Sequence, residues 1–454
     1  MSLSLLFGTA PSLHRTLTAL LVVGLLAFLD IRSKLKNDSG HYLFGCAIGT
    51  VLSIAIINFA RTLLTAGFAE TAQVMALGIL LIFLGWELLF GPWQARVKAT
   101  VLGTFLFWIA FVLIAQEPAA QRLAHVLATI VAAIPAVIWA ALFLEYHRER
   151  MSVVFLMFFA GMASTVPILF YDALVKHGAE LQFFFFRIVP ESFGAAAQSF
   201  VSATFTDVSN VQSMLLTMLV SFLLVGLIEE ASKYWVLRRS GMSFFSSIDD
   251  VMQLAIIVAI GFAFAENVTN TGYFLNFVKQ YLVDPPQKDW VGFIGNVAGR
   301  SVLTSMVHIV STGLLGYYFG VAIFAAPCLQ EGEAQGRTFF LVNGLHRLLG
   351  FPKKSVFRTQ MLLQGFFLAV LLHAFSNFMV TLPDVLPGNP RTLGELFQSP
   401  PDSAFHYFSL LLFPTLLYVV GGFWVLTMLF KRKENMKVRG HLVTTDTYVV
   451  ERAE

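Results

Sequence analysis

Residues 211–235 read VQSMLLTMLVSFLLVGLIEEASKYW, a long apolar run that ends in Glu229, Glu230 and Lys233. A helix needs about 20 apolar residues to cross hydrocarbon about 30 Å thick, because its backbone polar groups must bond to one another there. This run is long enough. An ionisable side chain at the bilayer centre costs about 2.5 to 3.5 kcal/mol, so the three charged residues are expected to face protein or water rather than lipid.

The composition of the whole chain indicates the same environment. Of its 454 residues, 57% are hydrophobic and 13% are charged, whereas soluble proteins carry about 25% charged residues. A soluble protein is therefore excluded. The formal net charge of +3 lacks the basic excess of a nucleic-acid-binding protein, so no nucleic-acid partner is expected. Cys46 and Cys328 lie in separate segments and offer neither a disulfide framework nor zinc-ligand spacing.

Eleven apolar stretches predict an all-α, polytopic transmembrane helix bundle. They cover residues 13–29, 42–60, 71–90, 99–114, 123–144, 153–171, 211–235, 251–268, 291–326, 361–382 and 405–430. If the N-terminus lies outside, the loops on the inner side contain more Lys and Arg than the loops on the outer side, as the positive-inside rule requires. Eleven crossings from an outer N-terminus then predict a cytoplasmic C-terminus. We therefore expect a multi-pass protein of the cytoplasmic (plasma) membrane.

The distribution of polar residues predicts four parts. Residues 1–174 form a six-helix transmembrane scaffold with few ionisable groups inside its apolar segments. Residues 175–209 form an external connector along the membrane interface. Residues 210–430 form a second transmembrane domain rich in buried polar groups, and residues 431–454 form a basic, polar cytoplasmic tail.

Ionisable and amide side chains recur in four successive helices of the second domain. They are Glu229, Glu230, Lys233, Glu266, Asn267, Arg300, His308, His373 and Asn377. Gathering them around one water-filled cavity lowers the cost of burying charge. Glu229 and Lys233 are four residues apart and share a helix face, while Glu230 is rotated by about 100°. Glu229 is expected to be the innermost carboxylate, kept ionised by Lys233, although the two glutamates could be exchanged.

The depth of these residues conflicts with a single site. Arg300, Thr304, His308 and Thr312 are spaced by four, which predicts one continuous polar helix face. However, counting about 1.5 Å per residue from the presumed cytoplasmic helix ends puts Glu229 about 13 Å deep and His308 about 28 Å deep. The expected levels therefore differ by about 10 to 15 Å.

The same residues make the second domain resemble the PrsW family of intramembrane proteases, which is related to the group containing the CAAX-prenyl endopeptidases. The resemblance covers about residues 211–430. Its motifs are Glu229-Glu230-Ala231-Ser232-Lys233, the segment from Gly261 to Glu266-Asn267, the helix of His308, and His373-x-x-x-Asn377. It implies hydrolysis of a peptide bond in or beside the membrane segment of a membrane-anchored protein substrate within the lipid bilayer.

Two chemical designs fit the catalytic candidates, which are Glu229, Glu230, Lys233, Glu266, His308, His373 and Asn377. In the first, His308, His373 and Glu266 bind a metal such as zinc, and Glu229 or Glu230 is the general base. In the second, a glutamate activates water without a metal, the histidines hold the water or protonate the leaving amine, and Asn377 donates to the oxyanion. The resemblance favours the metal.

Two other functions are compatible with the sequence. Acids and histidines inside a helix bundle can relay protons in a proton- or ion-coupled transporter. The absence of a detectable internal repeat counts against this function. A catalytically inactive scaffold that binds membrane segments is the third possibility.

Overall fold

The structure is a computed structural model that describes residues 42–66, 93–115, 117–169, 181–183, 186–188, 211–269 and 297–438, with isolated positions between them. Four of the predicted regions lie wholly or mostly outside the described residues. They are the apolar stretches 13–29 and 71–90, most of the connector 175–209, and residues 439–454 of the tail.

The described chain is predominantly helical. The helices are α1 (Tyr42–Ala66), α2 (Ala95–Ala115), α3 (Ala119–Leu144), α4 (Met151–Ala163), α5 (Val211–Gly241), α6 (Ile248–Thr269), α7 (Ser305–Ile323), α8 (Ala325–Ala334), α9 (Phe340–Leu349), α10 (Lys353–Val385), α11 (Leu393–Leu396), α12 (Leu412–Thr415) and α13 (Gly422–Val438). π-Helical turns precede α7 (Arg300–Thr304) and α13 (Leu416–Gly421), and a 3₁₀ turn covers Ala404–Tyr407. One small antiparallel hairpin, β1 (Leu181–Phe183) and β2 (Phe186–Ile188), interrupts the helical pattern.

Seven described helical segments are long and apolar enough to cross a membrane. They are Ala95–Ala115, Gln121–Leu144, Met151–Leu169, Ile248–Thr269, Val297–Ile323, Lys353–Pro383 and Leu412–Phe430. Each coincides with one of the eleven predicted stretches. The prediction of a helical, multi-pass membrane protein is therefore confirmed, while the number eleven and the orientation of the termini stay predictions.

The chain divides into two compact units, the first of which includes the described residues up to Ile130 and Glu149–Ala160. In this unit α1 packs along α2. A Cβ atom on Gly49 would lie only 2.6 Å from the carbonyl oxygen of Val101, so the glycine permits the close approach of the two helices. The division into four parts, with a boundary at residue 174, stays a prediction.

The second unit contains α5, α6, α7 and α10, and α6 is buried along nearly its whole length. α6 packs against α7, and α10 packs against both α7 and α5. A Cβ atom on Gly316 of α7 would lie 2.4 Å from Ala255 Cβ, and one on Gly226 of α5 would lie 3.2 Å from the Val370 carbonyl oxygen. Small residues thus bring the four helices close enough for their polar side chains to meet.

Candidate active site

Six of the seven predicted site residues meet in one cluster within the second unit. α5 supplies Glu229, Glu230 and Lys233, α6 supplies Glu266, α7 supplies His308, and α10 supplies His373. The expected difference of depth is wrong, because contacts of 2.8 to 3.9 Å join all six residues. Counting residues from presumed helix ends takes no account of helix tilt or of where each helix begins relative to its neighbours.

Glu230 and Lys233 are completely buried at the centre of the cluster. Lys233 Nζ lies 2.8 Å from Glu230 Oε1 and 3.5 Å from Glu229 Oε2. The expectation that Glu229 is the innermost carboxylate and the partner of Lys233 is therefore wrong, and the two glutamates are exchanged in these respects. Thr312 Oγ1 donates to Glu230 Oε2 at 2.9 Å. The ammonium also lies 4.0 Å from the centre of the Phe262 ring, within the range of a cation–π contact.

His373 links the two glutamates. Its Nδ1 lies 2.9 Å from Glu230 Oε1, and its Nε2 lies 3.4 Å from Glu229 Oε2. An ionised carboxylate only accepts hydrogen bonds, so the neutral ring that donates from Nδ1 keeps a lone pair on Nε2. That lone pair is on the side of Glu229.

His308 has a matching arrangement. Its Nε2 lies 3.0 Å from Glu266 Oε2, and its Nδ1 lies 3.0 Å from Lys233 Nζ and 3.9 Å from Glu229 Oε2. An ammonium only donates, so Nδ1 accepts and Nε2–H donates to Glu266. The ring centres of His308 and His373 are 4.9 Å apart, so both imidazoles approach the same carboxylate, Glu229.

Glu266 lies at the edge of the cluster. Its side chain is 21% exposed, compared with 7% for Glu229 and 0% for Glu230. Arg300 donates from Nε to Asn267 Oδ1 at 2.7 Å and from its guanidinium to Glu266 Oε1 at 3.3 Å. The cluster is therefore most exposed beside Glu266.

The helix that carries His308 differs from its predicted form. Arg300 to Thr304 form a π-helical turn in place of a regular α-helical one, although Arg300 and His308 both contact Glu266. A π turn contains more residues than an α turn, and such turns often occur at functional sites. Here the turn carries the arginine that contacts Glu266.

Sequence reasoning assigned no site role to Thr312 or Phe262, and it included Asn377. Thr312 follows His308 by four residues, which is the signal that placed it on the same face. The Phe262 contact had no comparable signal beyond its place in the second motif. Asn377 is half-buried one turn after His373, and among the described residues no contact joins its side chain to the cluster.

The donor atoms of the cluster fit a metal ion in type and spacing. One ligand atom each from Glu229, His308 and His373 lies within 4.8 Å of the others, and all three residues are buried. Two imidazole nitrogens and a carboxylate oxygen form a common zinc-binding set. The predicted set contained Glu266 in place of Glu229. Glu266 contacts His308 Nε2, which is where a carboxylate orients a metal-binding histidine from behind.

A second contact between an acid and a histidine lies where α6 begins. Asp250 Oδ2 accepts from the backbone N–H groups of Ser246 and Ser247, both at 2.8 Å, and Ser247 Oγ accepts from Asp250 N–H at 3.2 Å. The reciprocal bonds between Ser247 and Asp250 form a capping box. Asp250 Oδ1 contacts His147 Nε2.

The comparison with protein families agrees with this geometry. A family model described as "PrsW family intramembrane metalloprotease" matches residues 149–394, which is more than half of the chain and contains all seven predicted site residues. The match begins before the expected start at residue 211 and ends before residue 430. No curated protein and no solved structure matches the chain. The chain belongs to the PrsW family of intramembrane metalloproteases, which makes it a peptidase of the membrane.

Proposed function

We propose that the protein hydrolyses a peptide bond in or beside the membrane segment of a membrane-anchored protein, with Glu229 as the carboxylate that activates water. One observation carries the proposal. Each of two histidines contacts a carboxylate with one ring nitrogen, and each has its other nitrogen on the side of Glu229. Carboxylates in this position fix the tautomer and orientation of an imidazole that takes part in chemistry.

Glu229 suits the role of the base better than Glu230 does. Glu230 is held by Lys233, Thr312 and His373 at 2.8 to 2.9 Å. The contacts of Glu229 Oε2 with Lys233, His373 and His308 are longer, between 3.4 and 3.9 Å. A carboxylate with looser contacts has lone pairs available for a water molecule, whereas Glu230 is held by three short contacts and orients His373.

The proposed reaction moves one proton through the site. Glu229 takes a proton from water, and the water oxygen forms a bond to the carbonyl carbon of the peptide. When the carbon–nitrogen bond breaks, the proton passes to the departing amine. In the design without a metal, His373 Nε2 lies 3.4 Å from the glutamate and is placed to transfer this proton. Asn377 is retained as the proposed donor to the oxyanion, from the next turn of the same helix.

The metal-binding role fits the same residues. Glu229, His308 and His373 would hold a zinc-like ion, which when bound acidifies a water molecule and polarises the carbonyl group. Glu230 and Glu266 would orient the two histidines from the opposite ring nitrogens. The glutamate-only design uses the same histidines to hold the water. We place the reaction in the cytoplasmic membrane.

Cleavage of a tagged single-span protein by the purified enzyme in lipid vesicles tests the proposal. We expect the wild type to release a shortened fragment, and we expect Glu229→Gln and His373→Ala to release almost none. Glu333→Gln is a matched control, because Glu333 is exposed and lies outside the cluster, paired with Lys353 at 3.1 Å. Cleavage by Glu229→Gln at the wild-type rate would contradict the proposal. Proton transport by vesicles that cleave nothing would favour a transporter.

A further inference from the structure

The ammonium of Lys233 contacts a histidine nitrogen that a bound metal ion would need as a ligand. Its Nζ is 3.0 Å from His308 Nδ1 and 3.5 Å from Glu229 Oε2, and these two residues belong to the group that fits a metal. The ammonium carries no lone pair, so its contact with Nδ1 uses the nitrogen lone pair. A metal ion bound to His308 through Nδ1 needs that same lone pair.

We infer that Lys233 and a divalent metal ion are alternative cations of this site, so that a metal binds only when the ammonium has moved away from His308. This inference rests on the proposed function. Two positive groups held within a few ångströms in a buried site repel strongly, because the effective dielectric constant is low there. Glu230 Oε1 and the face of Phe262 contact the ammonium on other sides and would retain it after the move.

The consequence is a metal affinity that Lys233 weakens. Without the ammonium, the Nδ1 lone pair is free and the like-charge repulsion is gone. We expect Lys233→Met to bind Zn²⁺ at least about tenfold more tightly than the wild type. Lys233→Gln keeps a hydrogen-bond donor for Glu230 without the charge and serves as the second variant if the methionine variant does not fold.

Equilibrium dialysis of the purified full-length protein against buffered Zn²⁺ measures this affinity directly. Lys98→Met is the matched control, because Lys98 is also buried but lies on α2 in the other unit. The zinc affinity of this variant should equal that of the wild type. Adding His373→Ala to Lys233→Met should abolish the gain. Zinc binding by the folded Lys233 variants that is equal to or weaker than in the wild type would overturn the inference. If instead the proposed function is wrong, the cleavage assay shows this separately, because the Glu229→Gln variant would still cleave the substrate.

A second, independent feature is the apolar face of α9. This helix lies between the membrane-spanning segments Val297–Ile323 and Lys353–Pro383. Val342 is completely buried against a cluster that includes Leu329 of α8 and Phe357 of α10. In contrast, Phe340 is 90% exposed and Leu348 is 82% exposed. One side of α9 is thus packed, while large apolar side chains point outward.

The charges around α9 are mostly basic. Exposed arginine and lysine side chains occur at Arg337, Arg347, Lys354 and Arg358. The exposed acid Glu333 is paired with Lys353 at 3.1 Å. An amphipathic helix with large apolar residues and a basic border binds the interface of an anionic membrane.

We propose that α9 lies in the headgroup region of an anionic leaflet, with Phe340 and Leu348 among the acyl chains and Arg347 beside lipid phosphates. The helix follows a membrane-spanning segment and precedes another, so it is held near the surface from which both emerge. Apolar burial and attraction to anionic lipid both contribute to this position.

Spin labels attached to cysteines on α9 test this proposal. One label is placed at position 348, and a control label is placed at position 343 on the polar face. The variants Leu348→Cys and Asn343→Cys are made with Cys46 and Cys328 replaced by alanine, and the protein is placed in vesicles of phosphatidylcholine with or without phosphatidylglycerol. We expect the label at 348 to be accessible to oxygen and shielded from a water-soluble nickel complex, more strongly with phosphatidylglycerol. The label at 343 should be accessible to the nickel complex. Equal nickel accessibility at both positions in anionic vesicles would overturn the proposal, and shielding that does not depend on phosphatidylglycerol would overturn its anionic specificity.

Discussion

Asp250 and Glu229 both contact histidine side chains from other parts of the chain, but Asp250 is in addition held by backbone groups of its own segment. Asp250 Oδ2 is bound by backbone groups only three and four residues away, at 2.8 Å. Glu229 Oε2 is approached by His308 and His373 from two other helices, at 3.9 and 3.4 Å. Short local bonds fix a carboxylate as a helix cap, whereas longer contacts from distant residues leave a carboxylate able to bind water or a ligand.

Replacing the loosely held carboxylate should have the largest effect on activity. Glu229→Gln removes the proposed base without changing the size of the side chain. We expect cleavage to fall by about 10²- to 10⁴-fold, measured as the initial rate of fragment release in vesicles. The melting temperature, followed by circular dichroism, should show that the variant is folded. A cleavage rate within threefold of the wild type would show that Glu229 does not differ from Asp250 in its importance for the reaction.

Glu230→Gln tests the glutamate that is held by three short contacts and should have an intermediate effect. The amide can still accept from Thr312 or His373, but it loses the charge that holds Lys233 and fixes the His373 tautomer. We expect a decrease of about 10- to 100-fold in cleavage, because orienting carboxylates contribute effects of this size. An effect as large as that of Glu229→Gln would indicate that the roles of the two glutamates are exchanged.

Thr312→Val removes one donor to Glu230 at nearly constant volume. The remaining bonds from Lys233 and His373 keep the carboxylate in place. We expect cleavage to fall by less than about tenfold, since one hydrogen bond to a charged group is worth about 1.5 to 3 kcal/mol when lost entirely and less when others remain. Thr269→Val is a suitable control, because within the part of the chain that the structure describes Thr269 donates to the Ala265 carbonyl of its own helix and has no contact with the cluster. A larger loss in the control would mean that the effect reports helix stability.

Asp250→Asn should have the smallest effect on activity and a measurable effect on stability. The substitution removes the charged acceptor of the capping box, which typically stabilises a helix by about 1 kcal/mol. We expect a lower melting temperature and an unchanged cleavage rate per folded molecule. A rate decrease comparable to that of Glu230→Gln, in protein that is fully folded, would show that Asp250 takes part in the reaction.

Much of the site could be predicted because charges inside apolar runs are conspicuous. Glu229, Glu230 and Lys233 interrupt a stretch that is otherwise fit for lipid, and such residues persist only where protein or water surrounds them. The spacing of four between His308 and Thr312 also placed them correctly on one helix face. The partner of Lys233 was not predictable, because a long flexible side chain reaches either the residue three or the residue four positions before it.

Hydropathy and motifs are properties of the chain, so the membrane location, the association of polar residues from four helices and the family resemblance follow from the amino-acid sequence. The packed helices show in addition that Glu266 contacts the outer nitrogen of His308, that both histidines approach Glu229, and that all of these residues meet despite unequal distances from their helix ends. The reason is that helix tilt and side-chain direction follow from packing between helices, at close contacts such as the one at Gly316, and no single segment contains that information.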